Sequence, residues 1–327
     1  MDVSCEFFEG TEKLLEVWFG NEDSYRECDL RKIPRSAWES ILELVKCEII
    51  SFKKNDSIDA YVLSMFISKN RFILKTCGST TLLRCIEPLL YVAKEIGGFD
   101  EVLDVFYSRK NFIRPQLQDK PHSAFEDEVE VLENFFEGAA YCMGRVNRDC
   151  WYLFTLNPIM PAKLIETPDQ TLELIMQNLD PKVMKIFTRE VCATAKEATV
   201  KSGIDKILSN VTIDDYLFKP CGYSMNGIMK GGYYMTIHVT PEAHCSYVSF
   251  ETNFPQDGYH DLVMRLLKIF KPGKFMMTIF ANENSIASES LQDYRNLTFY
   301  GYSSKELQIC HFKNYDLTYG LFAKAPS

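Results

Sequence analysis

The sequence lacks the cysteine and histidine spacings that mark a metal site or a disulfide framework. Its eleven cysteines are odd in number, none forms a C-x-x-C pair, and its five histidines are scattered. We therefore predict neither a bound metal nor a fold held together by disulfides. A Gly-rich phosphate loop, a G-x-S-x-G nucleophile motif and an H-E-x-x-H zinc motif are also missing.

Long apolar runs are absent too. The most apolar stretches, such as CIEPLLYVA, are interrupted by a charge or a proline before the ~18 residues that a membrane span needs. The first ten residues carry Asp2, Glu6 and Glu9, where a signal peptide needs a basic start followed by an apolar run. We expect a reduced, cytosolic, soluble protein without membrane contact.

Positive charge is in deficit, with 36 Lys plus Arg against 45 Asp plus Glu and a net charge of −9. An acidic surface repels phosphate backbones, so we expect cations or small molecules as partners and no nucleic acid. What is present is the composition of a globular protein, 46% hydrophobic and 25% charged. At roughly 150 residues per domain, 327 residues allow two domains or one large duplicated domain.

Strand-like and helix-like segments alternate along the chain in a repeated order. The predicted helices are SAWESILELVK, TLLRCIEPLLYVAKEIGG, FEDEVEVLENFFEG and DLVMRLLKIF, and the clearest strands are RFILKT, VLDVFYSRKNF, YYMTIHVT and KFMMTIFAN. Pairs of strands followed by a helix predict an α+β architecture with antiparallel or mixed sheets. Because no low-complexity linker occurs, we predict one duplicated domain over 1–327, with halves at about 1–160 and 161–327.

Two further segments carry the start signals of helices. Thr11 is a plausible N-cap for TEKLLEVWF, which would end at Gly20. Thr167, followed by Pro168 at the first helical position and Gln170 three residues after the cap, predicts that TPDQTLELIMQNL is a helix.

Helical spacing would place two pairs of carboxylates on common faces. Glu12 and Glu16 are four residues apart, as are Asp169 and Glu173. Solvated helix faces explain both pairs adequately, so the spacing by itself does not indicate a binding site.

Some polar side chains lie within predicted strands. Alternation in YYMTIHVT places His238 on a face with hydroxyl groups, and Lys75 and Cys77 share a face in RFILKTC. A structural histidine and a buried free cysteine are the commoner explanations, beside a catalytic histidine and a reactive thiol. The segment FKPCGYSMNG suits a loop beside a ligand and equally an ordinary surface loop.

Several blocks of the sequence, in this order, resemble the eukaryotic S-adenosylmethionine decarboxylase family. They run from residue 7 to about 281 and include FFEGTEKLLEVWF, RFILKTCG, FYSRKNF, GAAYCMGR, DCWYL, PDQTLE, PCGYSMNG and SYVSFETN. The resemblance implies a four-layer αββα sandwich of two antiparallel sheets, with helices outside and two similar halves. It also implies an enzyme that decarboxylates S-adenosylmethionine for spermidine and spermine synthesis, through a Schiff base to a pyruvoyl group. A decarboxylation leaves a carbanion that needs an electron sink, and in this family the sink arises by self-cleavage at an internal serine.

The resemblance also assigns catalytic roles. His238 would remove the serine α-proton during self-cleavage, Ser224 would stabilise the intermediate, and Cys77 would return a proton to the substrate after CO2 leaves. Glu9 and Glu12 fall in a block associated with activity and processing.

Further matches concern ligands. Phe8 and Phe218 would sandwich the adenine, Glu242 would accept hydrogen bonds from the ribose, and Leu63 would adjoin the substrate. The diamine putrescine would act as an activator, because its two positive charges require buried carboxylates. The residues that resemble the putrescine pocket are Glu16, Lys75, Asp169, Thr171, Glu173 and Glu251. Processed chains would associate into a dimer.

One junction departs from the family pattern. Where the family usually reads Leu-Ser-Glu-Ser-Ser-Met-Phe, this chain reads Leu63-Ser64-Met65-Phe66, so Ser64 is the candidate pyruvoyl precursor. Three missing residues remove roughly 10 Å of extended chain and would reverse strand faces unless a loop absorbs the change. The alternatives are an unprocessed, inactive homologue that binds S-adenosylmethionine or putrescine or regulates an active partner subunit, and a gap that is an artefact. A thiol hydrolase using Cys77 and His238 would need an oxyanion loop that is not recognisable.

Overall fold

The computed structural model describes residues 8–22, 27–61, 64–157, 167–287, 298–312 and 314–325, and it contains two eight-stranded sheets. The first sheet consists of β1 (Lys13–Gly20), β2 (Phe52–Lys54), β3 (Ile58–Tyr61), β4 (Met65–Ser68), β5 (Arg71–Thr76), β6 (Glu101–Lys110), β7 (Gly138–Gly144) and β8 (Cys150–Leu156). The second consists of β9 (Gln170–Gln177), β10 (Thr212–Leu217), β11 (Tyr223–Ile228), β12 (Tyr234–Thr240), β13 (Tyr247–Thr252), β14 (Lys274–Ala281), β15 (Tyr302–His311) and β16 (Asp316–Lys324). Neighbouring strands pair antiparallel in both sheets.

The two sheets have the same topology. The strand order is β2-β3-β4-β5-β1-β6-β8-β7 in the first and β10-β11-β12-β13-β9-β14-β16-β15 in the second. Adding eight to each strand number of the first order gives the second, which confirms the two similar halves. The division predicted near residue 160 falls in 158–166, outside the described residues.

Helices cover the outer face of each sheet. Those in the described residues are α1 (Arg35–Val45), α2 (Ile86–Glu95), α3 (Phe125–Glu133), α4 (Pro181–Met184), α5 (Ala195–Ser202) and α6 (His260–Phe270). Helix α1 buries Trp38 and Leu42 in an apolar cluster with Leu15 of β1, and α6 buries Leu266 and Phe270 in a second cluster beneath the other sheet. The predicted αββα sandwich is confirmed. None of the helices in these ranges is long and apolar enough to span a membrane.

The two segments with N-cap signals are strands, so those helix predictions were wrong. β1 pairs with β5 and β6, and β9 pairs with β13 and β14, which makes both of them interior strands. Strand pairing on both edges and burial on both faces outweigh a helix propensity worth only tenths of a kcal/mol per residue. The carboxylate pairs still share a face, because residues four apart lie on the same side of a strand as well as of a helix.

The space between the sheets combines apolar ends with a charged centre. One apolar cluster joins Trp18 and Phe106 to Met276, and another joins Phe66 to Tyr234. Between them lie buried acidic and basic side chains from both sheets, which form the candidate site.

The shortened junction connects β3 to β4. Tyr61 pairs with Met65, so only residues 62–64 join the two strands. Ser64 has a φ of +61°, the left-handed conformation that often ends a three-residue hairpin connection. Met65 and Ile67 belong to the apolar cluster that contains Trp38 and Leu42 of α1, while Phe66 faces the other sheet.

Candidate active site

Ser64 lies at the centre of a buried hydrogen-bond network between the sheets. Its side chain is fully buried, and its Oγ donates to Asn226 Oδ1 at 2.9 Å and lies 2.8 Å from Thr236 Oγ1. The same Oγ makes a short contact with His238 Nε2. The Ser64 carbonyl accepts from the backbone N–H of Lys75 at 3.0 Å, so backbone pairing to β5 holds the serine in place.

His238 projects from β12 toward Ser64. The alternation predicts this face correctly. Met235, Ile237 and Val239 lie in the apolar cluster that also contains Leu266 and Phe270 of α6, and His238 points the other way. Its Nε2 lies 3.4 Å from Ser224 Oγ, and the Cys77 thiol is a hydrogen-bonding neighbour.

The protonation of His238 is set by Glu12. His238 Nδ1 lies 2.9 Å from Glu12 Oε1. Burial opposes a charged imidazole, but the Glu12 carboxylate and the Cys77 contact outweigh it and raise the pKa of His238 to about 9. For Glu12, burial acts to raise the pKa, but the charges of His238 and Lys75 lower it to about 2. At neutral pH the two groups therefore form a buried ion pair.

Lys75 extends this network toward an acidic cavity. Its Nζ lies 2.9 Å from Glu173, 2.8 Å from Glu251 and 3.6 Å from Glu12, and the side chain is fully buried. Burial disfavours the ammonium, yet the three carboxylates raise the pKa of Lys75 well above its ordinary value. A continuous line of charged contacts runs from His238 through Glu12 and Lys75 to Glu173 and Glu251.

The cavity beside Lys75 has a volume of about 40 Å³. Its polar lining includes Glu16, Asp169, Thr171, Glu173 and Glu251. The structure therefore brings together the carboxylates predicted for a diamine pocket, and Lys75 adjoins them. Burial raises the pKa of Glu16 to about 7, against the attraction of the neighbouring arginine.

That arginine, Arg71 of β5, was missed by the sequence analysis. Its Nε lies 2.8 Å from Glu16 Oε1, its Nη1 lies 3.1 Å from Asp169 Oδ1, and its Nη2 donates to Thr171 Oγ1 at 3.5 Å. The guanidinium also lies over the ring of Trp18, 4.6 Å from the centroid. Arg71 lies four residues before Lys75 in the same strand, so both cations are on the face of β5 that points toward the other sheet.

The residues matched to substrate binding lie near two glycines with positive φ. Phe8 is 42% exposed and is the nearest side chain to Gly78, directly after Cys77. Phe218 is half-buried, packs edge-on against Tyr216 with centroids 4.8 Å apart and contacts Gly222.

Two carboxylates and one leucine complete the matched set. Glu242 Oε2 is a buried acceptor without a hydrogen-bond partner among the described residues. Glu9 joins the site through its backbone, since its carbonyl accepts from the N–H of Gly78, while its carboxylate accepts from Ile113 and Arg114. Leu63 lies outside the described residues.

Asn226 and Thr236 were also missed, although the sequence contains a signal for them. Ser224 pairs with His238, and Asn226 pairs with Thr236 one step along the same two strands. Because residues two apart share a face, the alternation that placed His238 among hydroxyls also selects these two residues. No group of histidine, cysteine and carboxylate ligands suited to a metal occurs in the described part of the chain.

Comparison with known proteins gives a consistent result. Residues 5–323 match the model of the family described as adenosylmethionine decarboxylase. The chain is 49% identical to the S-adenosylmethionine decarboxylase proenzyme of Drosophila melanogaster over 99% of its own length and 97% of the relative's. It is 48% identical to the Xenopus laevis proenzyme, with the same coverage of both chains. The crystal structure of the Trypanosoma brucei AdoMetDC-delta26 monomer matches with a TM-score of 0.62 at 24% identity, over 80% of this chain and 100% of that one, and so supports the fold.

Proposed function

This chain belongs to the adenosylmethionine decarboxylase family, and we propose that it is an S-adenosylmethionine decarboxylase proenzyme that cleaves itself at Leu63-Ser64. The observation that carries the proposal is the buried contact between Ser64 Oγ and His238 Nε2, with Glu12 behind the imidazole. Ser64 is the only serine at the junction, and the contact places its hydroxyl beside an imidazole that is oriented by a carboxylate and that acts as a base once it is neutral.

The proposed self-cleavage begins with an acyl shift. Ser64 Oγ attacks the carbonyl carbon of Leu63, the peptide C–N bond breaks, and the hydroxyl proton passes to the Ser64 nitrogen. The product is an ester. Removal of the Ser64 α-proton then expels the Leu63 carboxylate, which leaves a dehydroalanine at the new terminus. Tautomerisation and addition of water release ammonia, and a pyruvoyl group remains.

In the proposed mechanism His238 takes the α-proton, and its protonation controls that step. With a pKa of about 9, the imidazole is mostly charged at neutral pH and donates from Nε2 to Ser64 Oγ. Only the neutral form accepts a proton, so elimination accelerates as the pH rises toward 9. Ser224, whose Oγ lies 3.4 Å from the same nitrogen, would stabilise the developing charge.

The residues around Ser64 fit a pyruvoyl group and its substrate. Once formed, the group serves as the electron sink for decarboxylation. Cys77, beside His238, would return a proton to the substrate carbon. Glu242 Oε2 lacks a donor and would accept from a ribose hydroxyl. Phe8 and Phe218 provide two half-exposed rings for the adenine.

The acidic cavity supports activation by a diamine such as putrescine. Glu16, Asp169, Glu173 and Glu251 carry four negative charges when ionised, whereas Arg71 and Lys75 carry two positive charges, which leaves a net charge of minus two. A dication would neutralise that charge and donate to the remaining acceptors, including Thr171. Glu16, whose pKa is about 7, would gain its full charge on binding.

The shortened junction is compatible with cleavage. The family pattern has three more residues than Leu63-Ser64-Met65-Phe66, and the direct pairing of Tyr61 with Met65 supports our view that the loop absorbs this loss.

Association of processed chains into a dimer is the remaining part of the proposal. It is supported by strands β7 and β15, which are the last strands of their sheets and lie in contact at one end of the molecule.

Mass spectrometry of the purified protein tests the proposal. We expect fragments of 63 and 264 residues (327 − 63), the larger beginning with a ketone that reacts with a hydrazine probe. Ser64→Ala is the matched control, because it removes one hydroxyl and should leave the chain intact. A wild-type chain that stays intact and carries no ketone would instead support an unprocessed homologue that binds S-adenosylmethionine or a diamine.

A further inference from the structure

One side chain holds both ends of the segment that contains the proposed cleavage site. Asn226, on β11, is 1% exposed. Its Nδ2 donates to the carbonyl of Tyr61 at 2.8 Å, and its Oδ1 accepts from Ser64 Oγ at 2.9 Å. Tyr61 is the last residue of β3 and Ser64 directly precedes β4. The amide therefore bridges residues 61 and 64 from the opposite sheet.

We propose that Asn226 is a positioning residue for self-cleavage, which holds the Ser64 hydroxyl in the orientation required for attack. This inference rests on the proposed function, because it concerns the same serine. It adds a residue whose role is to fix the geometry of the nucleophile and not to exchange a proton with it.

The direction of the hydrogen bonds follows from the partners. The Tyr61 carbonyl can only accept, so the NH2 group of Asn226 faces Tyr61 and its Oδ1 faces Ser64. Thr236 Oγ1 also donates to Asn226 Oδ1, at 3.0 Å, so both lone pairs of that amide oxygen accept a hydrogen bond. The Ser64 hydrogen is thereby directed to Asn226, while one oxygen lone pair receives the Nε2–H of His238 and another remains available for the acyl carbon.

The backbone of Ser64 explains why such a bridge is needed. A φ of +61° is unfavourable for a residue with a Cβ, so the connection would relax if nothing held it. The hydroxyl would then move away from His238. Two hydrogen bonds to a single buried amide oppose this relaxation at both ends of the connection.

The experiment compares the self-cleavage rates of wild type, Asn226→Leu and Asn226→Asp between pH 5 and 9, with thermal melting of each uncleaved chain as a check of folding. Asn226→Leu has a similar volume and no hydrogen-bonding group, so we expect cleavage to slow by roughly 10- to 100-fold. Hydroxylamine should release no fragments from it, since the chain is blocked before the ester forms.

Asn226→Asp supplies a readout that a purely structural role would not change. A protonated carboxyl group donates to the Tyr61 carbonyl and accepts from Ser64, whereas an ionised one repels that carbonyl. The ratio of its cleavage rate to that of wild type should therefore be highest at pH 5 and fall as the pH rises. If Asn226→Leu fails to fold, this ratio decides the matter.

Asn253→Leu is the control. Asn253, directly after β13, is also buried and accepts from the backbone N–H of Tyr234, and among the described residues it has no hydrogen bond to Tyr61 or Ser64. We expect it to lower the melting temperature while the chain cleaves at the wild-type rate. A folded Asn226→Leu chain that cleaves normally, or an Asp-to-wild-type ratio that is independent of pH, would overturn the inference and leave the proposed function intact. A wild-type chain that never cleaves would overturn both.

Discussion

The layers beneath the helices and the layer between the sheets differ in chemistry, although the same strands build them. In β12, Met235, Ile237 and Val239 face the helices and join a large apolar cluster. The alternate residues Thr236 and His238 face the other sheet and join the network around Ser64. Strand β12 thus contributes apolar side chains to the layer beneath the helices and hydrogen-bonding side chains to the layer between the sheets.

The two layers also differ in what they contribute to stability. A large apolar side chain buried under a helix contributes about 1.5–3 kcal/mol. The central ion pairs lose hydration on burial, and their mutual attraction offsets that loss only when the geometry is good. Two such buried ion-pair groups are present: Lys75 with three carboxylates, and His238 with Glu12. From this comparison we expect the outer layers to hold the fold together and the central layer to carry the proposed chemistry.

The largest expected effect is in the central layer. His238→Ala should slow maturation by roughly 10²–10⁴-fold, because no base remains to take the serine α-proton. Protein should accumulate as the ester, so hydroxylamine should release fragments that are not seen without it. Cys77→Ala is the matched comparison: it should cleave normally and lose decarboxylase turnover. Normal cleavage and turnover in both variants would return both residues to structural roles.

A substitution in an outer layer should lower stability and leave the rate of cleavage unchanged. Leu266 of α6 is fully buried, and Leu266→Ala should lower the free energy of unfolding by about 2–5 kcal/mol, because a cavity replaces its side chain. The folded fraction should still cleave at the wild-type rate. Val200→Ala, at a half-exposed helical position, is the control and should change stability by less than about 0.5 kcal/mol. Denaturant unfolding measures the first quantity, and loss of cleavage at 20 °C in folded Leu266→Ala protein would contradict the separation of the layers.

The smallest effect concerns pH. Glu12 raises the pKa of His238 to about 9, so the rate of the elimination step in wild type should increase with pH until it levels off near that value. In Glu12→Gln the attraction is lost while burial still favours the neutral imidazole. The midpoint of the pH profile should therefore move down by roughly one to three units. An unchanged midpoint would show that a group other than His238 controls the rate.

The sequence predicted some elements correctly and failed at two particular strands. The helical spacing of Trp38, Ile41 and Leu42 identified α1, because that helix has one buried face and one exposed face. β1 and β9 are buried on both faces, so the polar and apolar alternation of a surface strand is blurred, and their leucines and glutamates suit a helix equally well. Neither the position of these strands inside a sheet nor their hydrogen-bonded neighbours can be read from local residues.

The candidate site likewise contains some residues that the sequence predicted and others that it did not. The alternation in β12 and the family resemblance selected His238, Ser224, Cys77 and the carboxylates from the sequence. Arg71 and Asn226 were missed because their roles depend on partners far away in the chain: Asp169 is 98 residues from Arg71, and Ser64 is 162 residues from Asn226.

The sequence by itself determined which residue types are available, which of them share a strand face, and to which family the chain is similar. Tertiary structure alone decided that two acidic segments are interior strands and that one asparagine bridges Tyr61 and Ser64. The physical reason is that face and period are local properties of the chain, whereas hydrogen bonds between sheets and the pKa of a buried group depend on which distant groups the fold brings within a few ångströms.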